Sequence, residues 1–173
     1  MNPQGPSDIG SDTLQRDNEF WRFSLAVYGR PGVAEECLAL QQAIGADVNV
    51  LLFCGWAGAR GISLNRDDIE KIIGHVFAWQ DHVVGPLRNV RQDMRSLKFE
   101  GSKSFRAKIK DIELEAEQIE QALLFAYSQR FQSGYKNPRD AVTENVRQYI
   151  EIKSSPKTLT APLLVEAALQ LRS

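Results

Sequence analysis

The chain has 173 residues, 43% of them hydrophobic and 25% charged, with a formal net charge of -1. That length supports one core without disulfide or metal staples, and a near-neutral balance gives no global pull toward nucleic acid or an anionic membrane. Two cysteines, Cys37 and Cys54, form neither a disulfide framework nor a C-x-x-C metal or redox pair, so a reducing cytoplasm is the simplest setting.

Residues 1–16 lack the basic start and apolar stretch of a signal peptide. Their Gly, Pro, Ser and Asp content reads as a disordered tail, followed by a single helical domain over 17–173. No apolar run reaches the roughly 18 residues that a membrane span needs, so no membrane association is expected.

Helical periodicity dominates the rest of the chain, and strand alternation is nearly absent. Asp17 is read as the cap of a first helix whose Phe20, Phe23, Ala26 and Val27 share a face. Gly29-Arg30-Pro31-Gly32 breaks it. Pro31 suits the opening turn of a second helix carrying Val33, Cys37, Leu38 and Leu40, which Gly45 closes.

Asp47 then caps a third helix, VNVLLFCGWAGA, that is apolar nearly all round and so belongs at the centre of the fold. Its small residues, Cys54, Gly55 and Gly58, invite close approach by another helix. Asn49, Phe53, Trp56 and Arg60 fall on one stripe of it. A buried amide without partners costs about 1–3 kcal/mol, so Asn49 must find one.

A fourth helix starts at Asn65, with Asp68 completing a capping box. Its stripe runs on through Val83, Leu87, Val90 and Met94, and Gly85-Pro86 within it predicts a kink or short break. Gln80 lies near the centre of that stripe and, like Asn49, needs a buried partner. His75 and His82 stand about 10 Å apart along the axis, too far for a shared metal ion.

Phe105, Ile109, Ile112, Ala116, Ile119, Leu123 and Ala126 form a heptad seam on a long helix from Ser102 to about Phe131. The short connection 98–101 predicts that this helix folds back antiparallel on the one before it. Asn137-Pro138 opens a sixth helix, and Thr160 is read as the cap of the last.

Charge is uneven. Between Arg88 and Lys110 there are eight basic residues and two acidic ones, followed by five acidic residues from Asp111 to Glu120. Across an antiparallel hairpin, Arg88 and Arg91 would lie beside Asp111 and Glu113. Such mutual pairing competes with binding of phosphate or nucleic acid by the 88–110 region.

The segments FWRFSLAVYGRPGV, CLALQQAIGADVNVLLFCGWAGARG and AWQDHVVGPLRNVR resemble a bacterial family of conserved hypothetical proteins, classed as a domain of unknown function. The resemblance spans about the first two-thirds of the chain. It implies a small helical bacterial protein and marks Trp21, Gln41, Asp47, Asn49, Trp56, Trp79, Pro86, Leu87 and Arg88 as signature positions, with no activity attached.

The expected fold is all-α: one bundle of about six or seven helices, with a long antiparallel pair and a buried central helix. No nucleophile elbow, phosphate loop or zinc-protease motif is present in the sequence, and no cofactor, catalytic residue or metal site is expected. The leading functional reading is a non-enzymatic protein-interaction, adaptor or chaperone-like module with a protein partner, homo-oligomerisation being open. The alternative is a small-ligand or enzymatic bundle using Asn49, Trp56, Arg60, Gln80 and Arg88, and the least favoured is nucleic-acid binding.

Overall fold

Asn18, rather than Asp17, starts the first helix. Its side chain accepts from the Trp21 amide and donates to the Gln15 carbonyl, while Asp17 turns outward to Arg22. The computed structural model describes residues 14–132, 137–154 and 159–171. The tail expected over 1–16 therefore lies outside the described residues up to position 13, as does part of the loop before the last helix.

The elements are α1 (Glu19–Tyr28), α2 (Val33–Ile44), α3 (Val48–Ala59), α4 (Arg66–Trp79), a π turn (Gln80–Val84), α5 (Gly85–Asp93), α6 (Ser102–Ser128), α7 (Pro138–Lys153) and α8 (Pro162–Gln170). Because α4, the π turn and α5 are continuous, the described residues form seven rods and no strand. No helix among them is long and apolar enough to cross a membrane.

The central helix is α3. Every residue from Asn49 to Gly58 is buried, and α1, α2, α6, α7 and α8 all pack on it. Its glycines act as the small face suggests. A Cβ on Gly58 would stand 2.5 Å from the backbone of Val142, and one on Gly55 would meet the Ala168 methyl at 3.6 Å. Backbone thus lies almost on backbone where α3 crosses α7. Asn145 completes that crossing: it accepts from the Leu64 amide at 2.9 Å and donates to the carbonyls of Ile62 and Cys54. These satisfy main-chain groups that the end of α3 would otherwise bury unpaired.

The predicted break at Gly85-Pro86 takes the form of the π turn. A proline ring collides with the carbonyl one turn back in a regular helix, and widening the preceding turn relieves this. The Gly85 amide reaches back to the Gln80 carbonyl.

Two further expectations are corrected. Thr160 does not cap α8. The Glu36 carboxylate of α2 does so from a distance, accepting from the amides of Leu163 (3.1 Å) and Leu164 (2.8 Å). The heptad seam on α6 is only partly turned inward: Phe105 and Ile112 are 55% and 49% exposed. The buried positions of α6 are instead Glu113, Ala116, Glu120, Gln121, Ala122, Leu124 and Ser128.

Gly58→Ala should cost about 1–3 kcal/mol or more, because a methyl there has only backbone to displace. Gly74→Ala, in a helix with open space around it, should instead stabilise by up to about 1 kcal/mol. Urea denaturation of the two variants checks both signs.

Candidate functional site

Asp47 holds the start of α3 as a cap, accepting from the amides of Asn49 (2.9 Å) and Val50 (3.4 Å). Its own backbone is tied to α7. The fully buried Tyr149 hydroxyl accepts from the Asp47 amide at 2.7 Å and lies 3.2 Å from the Asp47 carbonyl, to which it donates. One side chain thereby satisfies both main-chain groups of a residue at a buried helix end.

Asn49, two residues further on, faces α6. Its amide nitrogen donates to Glu120 Oε2 at 3.0 Å, and its oxygen accepts from Gln121 at 2.8 Å. Glu120 is 0% exposed, and the nearby Asp47 carboxylate disfavours a second negative charge on it. Burial first, then the neighbouring Asp47 charge, push Glu120 up to about 10, so it is a neutral acid at pH 7. Oε2 is taken by Asn49, while Oε1 is buried without a hydrogen-bond partner among the described residues.

The polar layer continues along α6. Arg88 donates to Glu113 at 3.1 Å and to Glu117 at 2.6 Å, and Arg91 grips the same Glu113 with two nitrogens. Glu113 is buried, which alone would raise its pKa. The two guanidiniums outweigh this and hold it below the usual carboxylate range. Burial keeps Glu117 above that range despite Arg88. The expected cross-hairpin pairing is therefore present, with Glu113 and Glu117 as acceptors and Asp111 outside it. Further contacts extend the pattern: Arg106 donates to the Arg91 carbonyl, Trp79 to the Ala116 carbonyl, and His75 stacks on Tyr127 at 4.5 Å. Later residues of α6 thus meet earlier residues of α4 and α5.

The stripe singled out on α3 is divided between separate surroundings. Asn49 lies in the buried polar layer. Trp56 is buried among Phe20, Phe53 and Phe125. Arg60, about 16 Å along the axis from Asn49, is exposed, sits over the Trp56 ring and pairs with Glu19 at 2.5 Å. Arg88 is held by Glu113 and Glu117. Gln80 stands in the π turn, and its side-chain oxygen is buried without a hydrogen-bond partner. Among the described residues, no group of three His, Cys, Asp or Glu side chains is set to hold a metal ion. An open cleft of about 540 Å³ lies elsewhere, lined by Ser63, Arg139, Asp140, Thr143 and Glu144.

Glu120, Gln121, Tyr149 and Asn145 were not singled out in the sequence. One signal was available for the first pair. Glu113, Ala116, Glu120 and Leu124 recur at steps of three and four, which places acids on the same face as apolar residues.

The surface of the α5–α6 hairpin is built differently. From Gly85 to Ile112 no side chain is buried. Val90, Leu97, Phe99, Phe105 and Ile112 are exposed, Phe99 by 74%. Arg95, Lys98, Lys103, Lys108 and Lys110 have no ion-pair partner among the described residues. This stretch is a two-helix arm beyond the core.

Residues 19–124 match the model of the family described as "Protein of unknown function (DUF2390)", and the chain belongs to that family. No curated protein and no solved structure matches it. The matched span includes Asp47, Asn49, Glu120, Gln121 and the whole arm, and ends before α7.

Two outcomes are expected. Tyr149→Phe should cost about 1–3 kcal/mol in chemical denaturation, since it strips both main-chain groups of Asp47 of their partner. The second concerns pH. Glu120 binds its proton more tightly folded than unfolded, so its stabilising contribution is complete below about 4.5 and is lost as pH rises toward about 10. Glu117 adds slope of the same sign. Stability should therefore fall between about pH 5 and pH 9, and Glu120→Gln, neutral throughout, should remove most of that fall. A Glu120→Gln variant that keeps the wild-type slope would contradict the assignment.

Proposed function

We propose that this member of a family of unknown function is a non-enzymatic protein-interaction module, and that the α5–α6 arm is the surface it presents. The observation that carries this reading is the arm's composition. Twenty-eight consecutive residues without a buried side chain nevertheless display Val90, Leu97, Phe99, Phe105 and Ile112 to solvent. Single exposed apolar residues are ordinary, but a concentration of them on one projecting element marks an interaction surface.

The polar chemistry gives less support to an enzyme or a ligand-binding bundle. Glu120 and Asn49, the groups with the most distinctive environment, are buried and bonded to each other, and Asn49 is bonded to Gln121 as well. Arg60 lies over Trp56 toward the end of α3, Arg88 is held by Glu113 and Glu117, and Gln80 stands in the π turn, which gives little support to one shared substrate site. The cysteines are unsuited to nucleophilic work. Burial raises Cys37 to about 12 and Cys54 further, so neither is a thiolate at pH 7.

The triple variant Phe99→Ser, Phe105→Ser, Ile112→Ser tests the reading. Stability should change by no more than about 0.5 kcal/mol per site, as for exposed positions, while a stoichiometric partner captured from the source organism by the tagged wild-type chain should be lost. Retention of that partner by the folded triple variant would overturn the assignment of the arm.

A further inference from the structure

The arm's exposed residues have a spacing as well as a composition. On α6, Phe105, Ile109 and Ile112 lie within about 60° of one another at 100° per residue, and Lys108 borders them. Ile109 is half-buried; Phe105 and Ile112 are open. Their steps of four and three continue through Ala116, Ile119 and Leu123, and the further positions run into the body of the protein. Such a step matches the side-chain rows of a second helix. α5 does not fill that role here. It packs on the neighbouring face, where Arg88 and Arg91 reach Glu113 and Arg106 reaches back to the Arg91 carbonyl.

Charge narrows the occupant. The region from Arg88 to Lys110 has eight basic and two acidic residues in a chain whose total is -1. Arg88, Arg91 and Arg106 are engaged within the hairpin, whereas Arg95, Lys98, Lys103, Lys108 and Lys110 have no ion-pair partner among the described residues. Two such arms laid against each other would repel, which counts against arm-to-arm self-association. A bilayer or a nucleic acid would answer the charge, but neither has side-chain rows to match a three-four apolar step. An acidic helix answers both.

Resting on the interaction reading above, we propose that the arm's partner is an acidic amphipathic helix of another protein, seated along Phe105, Ile109 and Ile112 with its carboxylates facing Lys108 and the positive field around it. The contact is intermolecular coiled-coil packing that extends the α6 seam beyond the core.

Site-specific photo-crosslinking in the full chain tests this, with p-benzoylphenylalanine installed at Phe105 in one variant and at Ile112 in another, and the adducts mapped to the peptide. The expected result is attachment from both positions to one segment of another protein, with apolar residues at helical spacing and a net negative charge. Adduct yield should fall about tenfold when Lys108→Glu and Lys110→Glu are combined. Attachment to a neutral or basic protein segment, or a yield indifferent to the charge reversal, would overturn the acidic helix and leave the interaction reading standing. Adducts to a second copy of this chain, to nucleic acid or to lipid would also overturn it. No adduct from either position, in chains whose circular dichroism and melting match wild type, would overturn the interaction reading itself.

Discussion

A neutral Glu120 sits beside Asp47 where α3, α6 and α7 meet. α3 has no polar face to turn outward, so its beginning must be closed inside the protein. Asp47 caps it, and Tyr149 from α7 satisfies the main chain of Asp47. Glu120 from α6 meets both the cap and Asn49. An ionised Glu120 would set a buried negative charge beside Asp47, which is far costlier than a neutral acid there. A neutral Glu120 lets α6 approach α3 there, and the arm leaves the body along the line of the same helix.

What lies beyond that line is held by different forces. The body rests on interlocked apolar packing, with Gly58 against the backbone of α7 as its tightest point. The arm rests on the Arg88–Glu113–Glu117 and Arg91–Glu113 pairs at its base and on half-buried contacts between α5 and α6. Segments with few buried apolar contacts open at low free energy. The polar base therefore anchors an element whose outer part is free to adapt its side chains to a partner, and the π turn lets α5 leave α4 at Pro86 without a break in the rod.

Much of the body was legible in the sequence because its rules are local. The caps at Asp47, Asn65 and Asn137, the glycine face of α3 and the disturbance before Pro86 depend on neighbouring residues alone. Glu120, Gln121, Asn145 and Tyr149 were not legible, because a polar residue in a helix ordinarily faces water. Its burial depends on partners 71 to 102 residues away. Thr160 lost the cap of α8 to Glu36 for the same long-range reason. The α6 seam was misplaced for another: heptad spacing requires a facing surface but does not say whether the same chain supplies it. Asn49 was recognised as a buried amide in need of a partner, and its joint engagement with Glu120 and Gln121 became visible only in three dimensions.

The most direct test of this account is the protonation state of Glu120, read from the carbon-13 resonance of its side-chain carboxyl across a pH titration. The account predicts the shift of a protonated acid from about pH 5 to at least pH 8, well beyond the ordinary glutamate range. A carboxyl that titrates near pH 4.5 in the folded protein would mean that Glu120 is ionised at neutral pH, and the central joint of the fold would need another explanation.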